Sequence, residues 1–417
     1  MELKAGYKQT EVGVIPEDWN VVQLHQLGKF KNGINKNSEA FGHGSPFVNL
    51  MDVFGVSCIA SNASLGLVDT NNAEQQTYDL RQGDVIFIRS SVKPSGVGLT
   101  AVVEEDMPKT VYSGFLIRFR DGGALSGGFK RHCFYDEGFR RQVIGASSVS
   151  ANTNINQENL KQIFLAFPPT KAEQEAIAEA LSDTDALLKS LEQLIAKKRH
   201  IKQGTMQELL TCKKRLPSFS GGWEVKQLKD IAEICSGGTP STNQPEFWDG
   251  DILWSTPTDI TALNSFKYLT HTARTITHQG LKSSSADLIP AYSVVMTSRA
   301  TIGECAINTV PMTTNQGFKN FIPFQDTDVE FLYYLLQTKK QDFISLCGGS
   351  TFLEIGKTQL AAFEIKLPKE RTEQTAITDI LSDMDAEIAA LETRLVKTRA
   401  LKQGMMHALL TGKIRLI

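Results

Sequence analysis

The sequence predicts an α+β protein built twice: two tandem mixed α/β domains, each followed by a long α-helix, the two helices packing as an antiparallel coiled coil with pseudo-two-fold symmetry. Three observations predict this. A segment of the 417-residue chain recurs 200 residues downstream, the segment has heptad spacing, and the stretches ahead of each copy alternate short apolar runs with Gly, Ser and Asn turns. The implied boundaries are a first domain at 1–167, a central helical region at 168–216, a second domain at 217–367 and a C-terminal helical region at 368–417.

The repeat is the strongest signal. Laid side by side without a gap, Pro168–Leu216 and Pro368–Leu416 are identical at 24 of 49 positions. Glu173-Gln174 recurs as Glu373-Gln374, Leu181-Ser182-Asp183 as Leu381-Ser382-Asp383, Lys202-Gln203-Gly204 as Lys402-Gln403-Gly404, and Leu209-Leu210-Thr211 as Leu409-Leu410-Thr411. Such agreement marks an internal duplication.

Steps of four and three residues through the first copy meet Ile177, Leu181, Thr184, Leu188, Leu191, Ile195, Lys198, Lys202, Thr205 and Leu209, of which six are apolar. The second copy gives Ile377, Leu381, Met384, Ile388, Leu391, Leu395, Thr398, Lys402, Met405 and Leu409, of which eight are apolar. This is a coiled-coil seam. No proline interrupts either run, and Pro168-Pro169 and Pro368 stand just ahead, where a helix can begin. About 40 residues, at about 1.5 Å each, would make a rod of roughly 60 Å. Each helix has to return the chain to its own half, so an antiparallel pair is the simplest arrangement. Lys198, Lys202, Thr398 and Lys402 interrupt the seam; they either fix its register or mark where another subunit docks.

The flanking regions repeat more weakly. Trp19-Asn20-Val21-Val22-Gln23-Leu24 parallels Trp223-Glu224-Val225-Lys226-Gln227-Leu228, and a polar turn follows each, at Lys31–Lys36 and Cys235–Thr239. Gly83–Ser90 parallels Ala291–Arg299, and Ser113-Gly114-Phe115 parallels Gln316-Gly317-Phe318. These read as strands and hairpins. The domains differ at most positions while the helices agree.

Composition narrows the classes. With 41% hydrophobic and 22% charged residues the chain reads as a folded soluble protein. No run approaches the roughly 20 apolar residues of a membrane span, and the first residues lack a signal peptide's apolar core, so a cytoplasmic location is expected. Six cysteines without a CxxC pair read as reduced, mostly buried small hydrophobes. Net charge is −2 overall, −1 over residues 15–167 and −4 over 219–367. Bulk charge therefore gives no support to a nucleic-acid partner. A phosphate-binding surface would have to be a local patch, with the acidic residues segregated elsewhere.

Three stretches nonetheless carry a family pattern: Lys202-Gln203-Gly204 through Met206, Leu209-Leu210-Thr211, Lys213-Lys214-Arg215-Leu216-Pro217 and Gly222-Trp223; Lys402-Gln403-Gly404-Met405-Met406 through Leu410-Thr411-Gly412-Lys413; and Gly13-Val14-Ile15-Pro16-Glu17-Asp18-Trp19. With Ser298-Arg299 and Ile302-Gly303, they make the chain resemble, along essentially its whole length, the specificity (S) subunit of type I restriction–modification systems. The first domain departs at Arg89-Ser90, which reverses the order of Ser298-Arg299. The resemblance implies two target-recognition domains, each reading one half of a bipartite site in double-stranded DNA, with the helices setting the spacer. It also implies two bound methyltransferase subunits and translocating restriction subunits. S-adenosylmethionine, ATP and Mg would belong to those partners, and this chain would hold no cofactor or metal.

Base edges call for Arg at guanine and Asn or Gln at adenine, while phosphates call for Lys, Arg, Ser, Thr and backbone N–H groups. In the first domain the loops offering these are Asn35 and Lys36; Arg89, Ser90, Ser91 and Lys93; and Ser147-Ser148 through Asn152 and Asn154. In the second they are Ser236 and Thr239; Ser298 and Arg299; Asn315, Gln316 and Lys319; and Ser350 and Thr351. Polar Gly/Ser/Asn loops are also ordinary turns. Trp254 would stack on a base if exposed, and a place in the core is its simpler reading. For partner subunits the candidates are Lys202, Gln203, Met206 and Leu209 with Lys402, Gln403, Met405 and Leu409.

Catalytic signatures are missing. Phe167-Pro168-Pro169-Thr170 lacks both the polar first residue and the aromatic last residue of an adenine-methyltransferase motif. Between Gly349 and Gly356-Lys357-Thr358 stand six residues where a phosphate-binding loop needs four. Glu364-Ile365-Lys366 has no Pro-Asp partner upstream and reads as a strand. The seven histidines show no metal-ligand spacing, and His132-Cys133 reads as structural. A non-catalytic chain is expected. The competing reading is a coiled-coil scaffold that does not read DNA, which leaves two diverged domains without a purpose.

Overall fold

Each long helix starts and stops for local reasons. The structure, a computed structural model, describes residues 5–61, 63–264, 266–347 and 353–416. The central helix spans Lys171–Leu209 and the C-terminal helix Arg371–Leu410. Thr170 caps the first, its Oγ1 accepting from Glu173 N at 3.3 Å. Just past the helices, Cys212 at φ 58° and Gly412 at φ 68° take the left-handed conformation that ends a helix. Glycine is needed at 412 for a second reason: a Cβ there would run into the Pro16 ring and stand 3.2 Å from Trp19 Cε2.

The chain divides into two compact units, one joining 1–192 with 393–417, the other spanning 193–392. The units cut across the linear order of the repeat. Unit 1 holds the first domain with the first half of the central helix and the end of the C-terminal helix. Unit 2 holds the second domain with the complementary halves.

In unit 1 a five-stranded sheet has the order Gly28–Asn32, Leu116–Asp121, Val85–Ile88, Thr100–Val103, Cys58–Ile59. All neighbours are antiparallel except the last pair. Val85–Ile88 is buried on both faces, which is why it reads as a continuous apolar run. Phe87 joins a core with Trp19, Phe119, Phe129, Ile177, Leu181, Leu409 and Leu410, so both helices contribute to it. Ile86 and Ile88 join a second core with Val48 and Tyr112. Asn20–Gln23 pairs antiparallel with Phe164–Phe167, bringing the two ends of the domain side by side.

Unit 2 repeats this plan. Its sheet runs Ala232–Ser236, Phe318–Pro323, Val294–Thr297, Cys305–Asn308, Tyr268–Leu269, with the same single parallel pair. Trp223–Gln227 pairs with Glu364–Pro368, so Glu364-Ile365-Lys366 is a strand as expected. Ile377 and Leu381 join Met206, Leu209 and Leu210 in its core.

None of the twenty seam positions is exposed. The helices pair antiparallel in each unit: Asp185 with Lys402 and Glu192 with Arg399 (2.6 Å) in unit 1; Lys198 with Glu387 (2.6 Å), Arg199 with Glu392 (2.5 Å) and Lys202 with Asp385 in unit 2. The polar interruptions at Lys198, Lys202 and Lys402 thus fix register within the chain. The contacts of one unit recur in the other with the helices exchanged, which is the expected pseudo-symmetry at the level of contacts.

The identical Glu-Gln pairs hold each helix to its domain. Gln174 and Gln374 are buried. Gln174 accepts from Ser126 N (2.7 Å) and donates to Ala124 O (3.2 Å) and Pro168 O (3.0 Å). Gln374 accepts from Asp328 N (2.9 Å) and donates to Asp326 O (3.3 Å) and Pro368 O (3.1 Å). Glu373, also buried, accepts two bonds from Arg215, at 2.9 and 2.8 Å, and one from Trp223 Nε1 at 3.1 Å. Glu173 takes the same grip from Arg415, which also forks onto Asp18 at 2.9 Å.

Gln374→Ala would leave three backbone groups without this partner, the buried Pro368 O among them, and should destabilise unit 2 by about 2 kcal/mol; a lowered thermal midpoint in calorimetry is expected, and an unchanged one would contradict the role. The Arg215 bonds hold the Glu373 carboxyl below the usual carboxylate range, against the opposing push of burial. A depressed carboxylate stabilises fully above its unfolded value, about 4.3, and that contribution is lost as pH falls through the folded value. Thermal midpoints scanned from pH 7 to pH 3 should therefore fall more steeply below about pH 4 for the parent than for Glu373→Gln. Equal slopes would refute the assignment.

Candidate nucleic-acid interface

A strand that is apolar throughout can offer polar groups only where it ends, and in both units the candidate readers gather there. In unit 1, Arg89 follows Val85–Ile88. Its N donates to Phe115 O (2.8 Å), its O accepts from Ile155 N (2.9 Å), and its Nη1 donates to Gly114 O (3.3 Å). Ser90-Ser91 pairs with Thr153-Asn154, and Asn154 pairs with Ser148, making a three-stranded ribbon. Asn35 lies against Gly114, whose N donates to Ile34 O at 2.8 Å. Asn152 is exposed, and its O accepts from Asn154 Nδ2 at 3.0 Å. Asn35, Arg89, Ser90, Ser91, Asn152 and Asn154 are thereby brought to one edge. Lys93 is exposed beyond it, and Lys36 is paired with Glu74 at 2.7 Å.

Three acidic residues of this domain lie toward the other end of the same strands. Asp84 precedes Val85–Ile88 and holds Arg120 at 2.6 Å, Asp79 holds Arg118 at 2.5 Å, and Asp121 holds Lys130. A domain with a net charge of −1 thus keeps these three carboxylates paired away from Arg89.

In unit 2, Ser298 stands where Arg89 stands: its N donates to Gly317 O (2.7 Å) and its O accepts from Ile355 N (3.2 Å). Arg299 bridges to Glu354 as Ser90 does to Asn154. Arg299 Nε lies 2.9 Å from Glu354 Oε2, and Lys319 Nζ lies 3.6 Å from Glu354 Oε1. Thr239 Oγ1 donates to Gln316 Oε1. Gly238 N donates to Thr314 O (2.9 Å), and Gly237 is packed so tightly on the Thr314–Asn315 backbone that no Cβ fits. Ser236 pairs with Lys319 across the sheet. Ser236, Thr239, Ser298, Arg299, Asn315, Gln316 and Lys319 therefore share one edge, while Ser350 and Thr351 lie outside the described residues.

Several expectations are corrected. Ser298 and Lys319 are buried, so neither presents a donor at the surface; Lys319 instead reaches Ser298 Oγ at 3.5 Å, and burial pushes its ammonium pKa down. Ser113-Gly114-Phe115 matches Asn315-Gln316-Gly317, one residue earlier than sequence suggested, because Phe115 O and Gly317 O receive the equivalent bonds. Met206, Leu209 and Leu409 are buried in the cores, and Met405 packs against the core of unit 1, 3.6 Å from Thr184 Oγ1. Lys202 and Lys402 hold ion pairs, so these six candidates for partner contact are occupied inside the chain; Gln203 and Gln403 are exposed.

Two residues at these edges, and the role of a third, escaped the sequence reading. Glu354 holds Arg299, and its only sequence signal is the 200-residue offset to Asn154. Trp254 is a core residue, as expected, but its Nε1 donates to Gly238 O at 2.9 Å and so positions the Gly237–Thr239 loop. Arg140 Nη2 donates to Ser95 O (3.0 Å) and Val97 O (2.7 Å), holding the loop after Lys93. No spacing in the sequence marks that contact.

Two matching sheets, each ending in a polar edge of different composition, define a protein of two tandem modules of one kind. The chain matches the profile of the type I restriction modification DNA specificity domain over residues 16–199 and again over 220–398, and it belongs to that family. The MjaIX specificity subunit of Methanocaldococcus jannaschii is 42% identical over 165 residues, covering 39% of this chain and 38% of that one. A putative MjaX specificity subunit of the same organism is 25% identical over 433 residues, covering 98% and 96%. Among solved structures, the type I restriction–modification S subunit from M. genitalium superposes with a TM-score of 0.54 at 13% identity over 98% of both chains, a likeness of fold. The resemblance stated from sequence therefore stands, and the match of both halves favours two recognition domains over a scaffold without them.

Proposed function

We propose that this chain reads a bipartite double-stranded DNA site for a type I restriction–modification complex, one half-site per domain. The observation that carries the reading is that equivalent backbone stations hold different side chains: Arg89 against Ser298, Ser90 against Arg299, Gly114 against Gln316, Asn154 against Glu354. A backbone kept constant while the residues along its polar edge change is what two readers of different sequences require. The long helices would then set the spacer, since two readers engage one duplex only at separations fixed by the helical repeat.

The helices would also dock two methyltransferase subunits, with restriction subunits joining them. S-adenosylmethionine, ATP and Mg belong with those partners in this reading, as does the chemistry. Gly204 and Gly404 support an external contact near Gln203 and Gln403. A Cβ at either glycine would meet nothing within 4 Å, yet a glycine inside a helix costs about 1 kcal/mol relative to alanine. Keeping it in both copies serves a close approach from outside the chain.

The test is exchange of residues 15–167 for the same segment of another family member, read by single-molecule sequencing for N6-methyladenine. The first half-site should change while the second half-site and the spacer persist. An unchanged methylated sequence would refute the reading for that domain.

A further inference from the structure

We infer that Glu354 is a positioning residue that aims Arg299 at a guanine in the half-site of the second domain; the inference rests on the DNA-reading role proposed above. A guanidinium has two bidentate edges, one from Nε and an Nη group, the other from both Nη groups. Glu354 Oε2 pairs with the guanidinium from its Nε side, at 2.9 Å, so the edge formed by the two Nη groups is the one left to offer. That edge matches the O6 and N7 acceptors of guanine in the major groove.

Glu354 is itself anchored. Its backbone pairs with Arg299, and its other oxygen faces the Nζ of buried Lys319 at 3.6 Å. Lys319 has two further contacts, Ser298 Oγ and Phe318 O, each at 3.5 Å, too long for strong bonds. A buried ammonium so weakly bonded requires a nearby carboxylate, and Glu354 is the one the fold supplies. Buried cation, carboxylate and exposed guanidinium therefore form a relay from the sheet to the surface. Arg299 keeps 45% side-chain exposure, whereas Lys319 keeps 6%.

Unit 1 has no such relay. Asn154 occupies the station of Glu354, and Ile117, paired with Phe87 as Lys319 is with Met296, occupies that of Lys319. A neutral amide there holds no guanidinium by charge, and Arg89 is tied instead to Gly114 O. A carboxylate beside DNA is repelled by phosphate, so retaining Glu354 at a reading edge is explained by the orientation it imposes and not by affinity.

The full chain in complex with its methyltransferase partner tests this, with half-sites read by N6-methyladenine sequencing and by competition binding to duplexes varied at each base pair. Glu354→Ala should relax the preference for guanine at one base pair of the second half-site by about tenfold or more and leave the first half-site unchanged. Glu354→Gln, which keeps the length of the side chain but loses the charge that pairs with both cations, should retain only part of that preference, and Arg299→Ala should abolish it. If Glu354→Ala leaves the second half-site intact while Arg299→Ala relaxes it, the inference falls and the DNA-reading role survives. Equal weakening on all four bases in the Glu354→Ala competition, as a misfolded edge would give, also overturns it. If neither variant alters either half-site, Arg299 reads no base and the inference fails; the DNA-reading role is judged separately by exchange of the domain.

Discussion

A carboxylate buried in the first turn of a helix is tolerable only beside a cation, and in each unit that cation comes from beyond the end of the other helix. Arg215, just past the central helix, grips Glu373 at 2.8 Å; Arg415, just past the C-terminal helix, grips Glu173 at 2.8 Å. Removing one member of such a pair leaves a charge buried without compensation. Around these two contacts the rest is organised. The neighbouring Gln174 and Gln374 tie the helix starts to their domains, and the apolar residues just before each arginine enter the core of the unit that the arginine clamps. Neither half of the sequence builds a unit alone, because each domain's core includes residues from the end of the opposite helix.

This arrangement separates two demands. The helices and clamps need the same residues in both copies, since the same contacts are made twice with partners exchanged. The strand ends need only the same backbone. Arg89 and Ser298 have the same two main-chain bonds although their side chains share no chemistry. Duplication followed by divergence can therefore vary the reading edges without disturbing the cores. The copies do differ slightly at the clamp: Trp223 donates its indole N–H to Glu373, whereas the buried indole N–H of Trp19 has no acceptor among the described residues and Asp18 joins the Arg415 site instead.

What was legible in the sequence follows the same division. Heptad spacing located the helices and their seam, because burial along a helix has a fixed period, and apolar runs located the strands Val85–Ile88 and Val294–Thr297. The polar loops were found, and the structure brings most of them to one edge in each unit. Misreadings arose where meaning depends on what lies across the fold. Lys202 and Met206 look like surface features of a repeated motif until Asp385 and the core of unit 2 are placed against them. Ser298 and Lys319 belong to a polar stretch, yet both are buried. The one-residue slip at Ser113–Phe115 arose because Gly-Phe occurs in both domains, whereas hydrogen bonding follows the register of the strands and not that dipeptide. Glu354 was invisible as a partner of Arg299 because 55 residues separate them.

The central claim is that each unit is completed by the helix end of the other half. Hydrogen–deuterium exchange on the full-length chain carrying Arg415→Ala tests it most directly. Loss of that grip on Glu173 and Asp18 should speed exchange in the strands of residues 15–167, with the strands of 219–367 keeping their protection. Faster exchange in 219–367, or no change within 15–167, would contradict the account.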